Sequence, residues 1–169
     1  GGQLLTFTGF GTLTGGAWND TFNVNTGGSL TGAVNGGAGT NTLSYAANTA
    51  TGISVSVASN SGTSLGGGFS NIQTLVGNDS TTGSTFTLVG DNTGDTFALT
   101  GTNAGSLTYA SGGSVLTFSG VGNLTGGTGI DVLDLTALAA ATVNLTASGA
   151  SGFNGTTSVG LKGTFSAMD

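Results

Sequence analysis

The sequence lacks several residue types on which protein chemistry commonly depends. Its 169 residues contain no cysteine, histidine, arginine, proline or glutamate, and Lys162 is the single basic side chain. Without His or Cys there is no His-assisted nucleophile, no thiolate and no usual ligand set for zinc. We therefore expect that the protein is not an enzyme and that it needs no cofactor.

The charge balance excludes two classes of partner. Seven acidic residues against one lysine give a formal net charge of −6. Nucleic-acid binding requires clustered Lys and Arg, and so does an interfacial helix on an anionic membrane. No apolar run approaches the roughly 18 residues of a membrane span. We expect no nucleic-acid partner and no membrane insertion.

The residues that are abundant indicate short β-strands. There are 35 glycines, and each glycine inside a helix costs about 1 kcal/mol relative to alanine. Alternating apolar and polar residues occur at 3–8, 53–57 and 84–88, each directly after a Gly, and the run at 141–146 has the same form. This pattern predicts an all-β fold with dense turns.

Internal repeats decide among the all-β architectures. Residues 5–24 (LTFTGFGTLTGGAWNDTFNV) align without gaps to residues 116–135 (LTFSGVGNLTGGTGIDVLDL), and residues 69–88 form a looser copy. Such repeats bury their apolar face only by stacking on one another. We predict that residues 1–169 form one segment of a right-handed parallel β-helix, or β-solenoid. The predicted inward stack comprises Phe7, Leu13, Phe22, Phe69, Leu75, Phe86, Phe97, Phe118, Leu124 and Leu133.

The two ends of the sequence are related to each other. When residues 1–16 are written after residues 163–169, the 23-residue string matches residues 105–127 without a gap at 12 positions. The simplest interpretation is that the ends complete one repeat, so that copies join head to tail, covalently or by stacking. We see no capping element in the sequence, and an uncapped edge accepts further strands. The predicted junction residues are Leu4, Leu5, Phe165 and Met168.

One segment resembles a calcium-binding repeat. Residues 126–134 fit the pattern GGxGxDxUx, in which glycine turns expose carbonyl oxygens and Asp supplies a hard oxygen ligand. Asp131 and Asp134 are therefore candidate calcium ligands. Related turns elsewhere lack some of the motif residues, so the alternative is a solenoid corner whose Asp caps its own turn.

Two further functions are weaker alternatives. Repeated Thr-x-Thr pairs are typical of ice-binding faces, but their spacing here is irregular. Close carboxylates, such as Asp91 with Asp95, can hydrolyse glycosides, but no His, Arg or second Lys accompanies them.

Three segments carry a resemblance to known proteins: residues 36–57 (GGAGTNTLSYAANTATGISVSV), 67–77 (GGFSNIQTLVG) and 114–135 (SVLTFSGVGNLTGGTGIDVLDL). They resemble the repeats of giant bacterial secreted surface proteins, including filamentous-haemagglutinin-like adhesins and RTX-flavoured repetitive proteins. The resemblance implies a right-handed parallel β-helix, export to the cell surface or medium, and a role in adhesion, matrix or sheath. Most of the Asp residues of the calcium motif are missing, which favours a fibre that folds without calcium.

The sequence thus predicts a structural repeat of an extracellular bacterial filament or giant surface fibre. The expected partner is another copy of the same chain. The alternative is an adhesin module that binds a glycan or a host surface.

Overall fold

The computed structural model describes residues 11–79, 85–109 and 113–169, and in these residues the protein is all-β. In chain order the strands are β1 (Leu13–Thr14), β2 (Thr21–Asn23), β3 (Val34–Asn35), β4 (Thr42–Ser44), β5 (Ser54–Ser56), β6 (Ser61–Gly62), β7 (Phe69–Ser70), β8 (Thr74–Val76), β9 (Thr87–Val89), β10 (Thr96–Gly101), β11 (Ala104–Tyr109), β12 (Ser114–Ser119), β13 (Asn123–Thr125), β14 (Val132–Asp134), β15 (Val143–Gly149), β16 (Gly152–Thr157) and β17 (Phe165–Met168). The predicted all-β class is confirmed.

The strands form three sheets. Sheet A has the order β1-β3-β7, sheet B the order β14-β10-β11-β12-β8-β4-β2, and sheet C the order β15-β16-β17-β13-β9-β5-β6. Pairing is parallel throughout sheet A. In sheet B the strands β2, β4, β8 and β12 pair in parallel in that order, and so do β10 and β14. In sheet C the strands β5, β9, β13 and β17 pair in parallel in that order. Successive passes of the chain therefore lie beside one another in register.

Apolar side chains lie in register across the parallel strands. Each of these strands places one apolar residue in the row, and the alternation of a strand turns that residue to the opposite face from its neighbours. The aligned residues are Leu13, Val34 and Phe69 in sheet A, Phe22, Leu43, Leu75 and Phe118 in sheet B, and Val55, Leu88, Leu124 and Phe165 in sheet C. These rows supply nine of the 23 buried apolar residues of the core.

The predicted inward stack lies mainly in this core. Phe69, Leu75, Phe86, Phe97, Phe118 and Leu124 are buried. Phe22 and Leu133 are partly buried and pack against the core, because each belongs to an end strand of sheet B. Leu13 is half-buried on the first strand of sheet A, and Phe7 lies outside the described residues.

Two meanders depart from a wholly parallel β-helix. Strands β10, β11 and β12 pair antiparallel within sheet B, and β15, β16 and β17 do so within sheet C. The β10–β11 hairpin turns through two residues, Thr102 and Asn103, and Asn103 has a positive φ of 54°. Tight hairpins favour residues that tolerate positive φ, and Asn is one of them. The sheets are therefore mixed, and the short β5–β6 pair is antiparallel as well.

Three corners share a sequence of Phe, Ser, one variable residue and an apolar residue. They lie at residues 69–72, 118–121 and 165–168. The variable residue is left-handed at each corner, with φ of 53° at Asn71, 65° at Gly120 and 52° at Ala167. This reversal turns the following apolar side chain inward, and Ile72, Val121 and Met168 are all buried.

No helix in the described part of the chain is long and apolar enough to cross a membrane.

Candidate functional site

Turns between the sheets are stacked on one another in two groups. The first corner stack contains residues 15–20, 36–41 and 71–73, and the second contains residues 90–95, 126–131 and 167–169. In the first stack the Asp20 N–H donates to Asn41 Oδ1 at 2.9 Å, and the Asn41 N–H donates to Gln73 Oε1 at 2.8 Å. A side-chain oxygen on one pass of the chain thus accepts from the backbone of the pass before it.

The second corner stack repeats this ladder with carboxylates. The Asp95 N–H donates to Asp131 Oδ1 at 2.8 Å, and the Asp131 N–H donates to Asp169 Oδ2 at 3.1 Å. The Asp169 N–H in turn donates to the Asp131 carbonyl oxygen at 2.8 Å. Backbone and side chain together therefore fix the spacing of consecutive passes.

Three Asp residues of these turns also cap their own turns. Asp20 Oδ2 accepts from the Gly16 N–H at 2.7 Å, Asp95 Oδ2 from the Asp91 N–H at 2.6 Å, and Asp131 Oδ2 from the Gly127 N–H at 2.7 Å. A hydrogen bond from an Asp side chain to the backbone of its own turn is the usual reason for Asp in tight turns. The Gly-x-x-x-Asp spacing at residues 16–20 and 127–131 is therefore explained by structure.

Asp95 is the exception within its ladder. Its side chain is 1% exposed, and its Oδ1 has no hydrogen-bond partner among the described residues. In Asp131 the equivalent oxygen, Oδ1, accepts from the backbone N–H of Asp95 in the preceding turn. On the edge of β10 away from β14 lies the antiparallel β11, so no stacked turn of the described residues supplies an equivalent N–H to Asp95. Burial raises the pKa of the Asp95 carboxyl to about 6; the Asp91 N–H opposes the rise, and the charges of Asp91 and Asp131 add to it.

The two candidate calcium ligands lie in different environments. Asp131 is fully buried, and both of its carboxylate oxygens accept backbone N–H bonds. Asp134 lies three residues later, and its Oδ1 accepts from the Thr136 N–H at 2.9 Å. Strand alternation turns the two side chains to opposite faces of β14. In the described ranges, no group of three or more acidic, His or Cys side chains is placed to hold a metal ion.

Calcium binding therefore stays a prediction that can be measured directly. Ca²⁺ takes about six to eight oxygen ligands, whereas the Asp131 oxygens are occupied by N–H donors. We expect the same melting temperature, within about 1 °C, in excess Ca²⁺ and in excess chelator. A large fall in the melting temperature with chelator, abolished by Asp134→Asn, would show instead that the motif holds calcium.

Two of the predicted junction residues are part of the core. Phe165 and Met168 are each 3% exposed, and Phe165 lies directly beside Leu124 in sheet C. They are covered because β16 pairs with β17 on the side away from β13. Leu4 and Leu5 lie outside the described residues.

The exposed apolar surface at this end of the molecule belongs to other residues. β14 is the last strand of sheet B and β15 the last strand of sheet C. Val132 on β14 is 44% exposed, and Val143 and Leu145 on β15 are 44% and 59% exposed. An edge strand of this kind offers unpaired backbone groups and apolar side chains to a further strand.

A cleft of about 500 Å³ lies along the edge of β14. We call it the end cleft; it is lined by Thr96, residues 132–136 and residues 138–141. Its floor includes Leu133, which continues the apolar row of Phe97 in sheet B. Its wall is the largely small-residue connection that leads from β14 to β15.

Sequence reasoning missed most of the corner ladder. Asn41 stands where related turns have Asp, and that position after a Gly-Gly pair was a usable signal. Gln73 gave no signal, because the sequence of its corner contains no Gly-Gly pair. Only stacking in the fold makes the position of Gln73 equivalent to those of Asp20 and Asn41.

The aromatic side chains Trp18 and Tyr45 lie in opposite environments. Trp18 is 83% exposed, whereas Tyr45 is fully buried and its hydroxyl donates to the Thr63 carbonyl oxygen at 2.8 Å.

Comparison of the chain with protein-family models, with curated proteins and with solved structures finds no match.

Proposed function

We propose that this chain is a β-solenoid segment that serves as the structural repeat of an extracellular bacterial filament or giant surface fibre. Copies join end to end by adding strands to the open ends of sheets B and C. The function is mechanical, so no catalytic site or cofactor is required. The composition supports this proposal, since the chain has no His or Cys and one basic residue.

The observation that carries the proposal is the pair of sheet ends that no further strand of the described residues covers. Sheet B ends in β2 on one side and β14 on the other. Both strands run in the same direction, because the sheet contains two antiparallel pairings, β12 with β11 and β11 with β10, and the second restores the direction that the first reverses. In sheet B, one molecule therefore offers at its two ends edges with the same polarity. Contacts between unlike ends of identical subunits generate filaments when they do not close into a ring.

The solenoid interpretation rests on the parallel ladders. Three passes of the chain through sheets A and B place Leu13, Val34 and Phe69 in one row and Phe22, Leu43 and Leu75 in another. Each pass contacts the next through backbone bonds and the corner ladder. Repeat folds of this kind gain stability from each neighbouring unit and need polar caps only where stacking must stop.

Electron microscopy and fibre diffraction test the proposal. We expect fibres to form as the protein concentration rises, with an axial reflection near 4.8 Å from strands stacked along the fibre. Leu145→Lys in β15 should suppress fibres, because a lysine on an edge strand opposes pairing with a further strand. The matched control is Val115→Lys, since Val115 is 55% exposed but lies on β12 within sheet B. A strictly monomeric protein at high concentration would contradict the proposal.

A binding module is the second candidate, and a lateral cleft favours it. The cleft has a volume of about 280 Å³ and is lined by residues 71–73, Tyr109, Ser114 and Val115. An aromatic ring beside amide side chains is a surface that suits a glycan, but Gln73 Oε1 already accepts from the Asn41 N–H. Glycan binding that is lost in Tyr109→Ala, without fibre formation by the unmodified chain, would favour this function.

A further inference from the structure

Two corners of the molecule have the same local structure. Residues 69–73 (Phe-Ser-Asn-Ile-Gln) and 165–169 (Phe-Ser-Ala-Met-Asp) share the Phe-Ser start. Their third residues are left-handed, with φ of 53° at Asn71 and 52° at Ala167. Their fourth residues, Ile72 and Met168, are both buried.

The hydrogen bonds of these corners correspond one to one. The Gly36 N–H donates to Ser70 O at 2.9 Å, and the Gly126 N–H donates to Ser166 O at 3.0 Å. The Gln73 N–H donates to the Asn41 carbonyl oxygen at 3.0 Å. In the same way the Asp169 N–H donates to the Asp131 carbonyl oxygen at 2.8 Å. The reciprocal bonds, from the Asn41 N–H to Gln73 and from the Asp131 N–H to Asp169, are also equivalent.

The first corner leads directly into a parallel strand. After Gln73, the Thr74 N–H donates to the Asn41 carbonyl oxygen at 3.0 Å, and β8 then runs along β4 with Leu75 beside Leu43. By the same correspondence β14 is the counterpart of β4. β14 has no strand beside it on its outer edge among the described residues, and the end cleft lies there.

The outer edge of β14 presents the backbone of Leu133. The Val132 N–H donates to Asp95 O at 2.8 Å and so faces β10. Because successive N–H groups of a strand point in opposite directions, the Leu133 N–H and C=O face outward into the position where β8 lies beside β4.

We propose that this position receives a strand from a second copy of the chain, namely its residues 3–8. In the match between the sequence ends, residues 3–8 (QLLTFT) correspond to residues 114–119 (SVLTFS), which form β12. β12 is a sheet B strand that pairs in parallel with β8 and places Phe118 beside Leu75. Because Phe118 lies in the same apolar row of sheet B as Leu43 and Leu75, a strand of residues 3–8 added in register to β14 places Phe7 beside Leu133.

The chemistry of the segment suits the site. Residues 1–16 carry no charged side chain, so they approach the carboxylate of Asp134 at the cleft without repulsion. Main-chain hydrogen bonds supply affinity in this mode of recognition, and the alternate side chains supply specificity. The inference rests on the proposed function and names the contact that joins two copies.

The test adds a synthetic peptide of residues 1–16 to the full chain and follows backbone amide exchange by NMR. We expect a saturating peptide to slow exchange of the Leu133 amide by about tenfold or more. The same peptide with Phe7→Asp should give no protection, and this control cannot unfold the protein because it alters only the peptide. In the chain, Ala140→Lys should weaken binding from the exposed wall of the end cleft, whereas Ala150→Lys in the β15–β16 turn should not.

The outcomes separate this inference from the proposed function. Protection of Leu133 by both peptides alike, or protection elsewhere in the chain, overturns the inference. Fibres that form while the peptide leaves Leu133 unprotected retain the filament function and place the joint elsewhere. Selective protection of Leu133 without fibres retains the strand site and overturns the filament function.

Discussion

Replacing Gly127 with Ala should destabilise the protein strongly, whereas replacing Gly16 with Ala should not. Both glycines are the second of a Leu-Thr-Gly-Gly sequence, and neither has a positive φ. A Cβ on Gly127 would overlap the carbonyl oxygen of Asp91 in the turn beneath it. A Cβ on Gly16 would have nothing within 4 Å, and its turn is the first of its stack among the described residues.

The expected size of this difference follows from the nature of the obstacle. A backbone oxygen in a stacked turn cannot rotate away as the end of a side chain can, so the two passes must separate. Overpacking of this kind costs about 3 kcal/mol, which corresponds to a fall of roughly 6 to 12 °C in melting temperature. Gly16→Ala should stay within about 0.5 kcal/mol of the unmodified protein. Thermal and denaturant unfolding measure both; an equal effect of the two substitutions would contradict the stacked-turn geometry.

The same pair of glycines shows what the sequence could and could not predict. Alternating residues and the Leu-Thr-Gly-Gly repeat correctly indicated short strands, Gly-rich corners and an Asp that caps its turn. The sequence treats the two copies as equivalent, but Leu13 lies in sheet A and Leu124 in sheet C. Which turn lies beneath another is a long-range property, and no local pattern encodes it.

The meanders were beyond prediction for a similar reason. Phe97, Leu107 and Phe118 alternate with polar or small residues in the same way as Leu43 and Leu75, and this period of two holds for parallel and antiparallel strands alike. The partner of a strand depends on the connection that precedes it. Phe165 and Met168 illustrate the consequence: their position near one end of the sequence suggested a junction, yet the antiparallel β16 covers them.

The protein should become more stable when the pH falls from about 7.5 to about 5, because of Asp95. Burial raises the pKa of this carboxyl to about 6, above its ordinary value of 3.8. Between these two values the folded state binds a proton that the unfolded state does not, so folding is favoured there. This contribution is fully present below the unfolded value and is lost as the pH rises through about 6.

Few other groups compete in this pH range. The chain has no histidine, and the pKa of Asp134 is lowered by its bonds with Thr136, so Asp134 titrates at still lower pH. The full shift at Asp95 corresponds to roughly 3 kcal/mol. Between pH 7.5 and pH 5 a carboxyl that titrates at about 6 realises about half of this free energy, and screening by water reduces it to about 1 kcal/mol. For a chain of this length that corresponds to a rise of about 4 °C in melting temperature.

Asp95→Asn provides the decisive comparison. Asn already occupies the equivalent corner position at Asn41, where its amide donates to the carbonyl oxygens of Ala38 and Asn71 at 3.2 and 3.0 Å. An amide at residue 95 removes the titrating proton and the negative charge beside Asp131. The variant should be at least as stable as the unmodified protein at neutral pH, and its melting temperature should not rise on acidification. If the variant keeps the full pH dependence of the unmodified chain, another group binds the proton, and the unpaired Oδ1 of Asp95 is not its site.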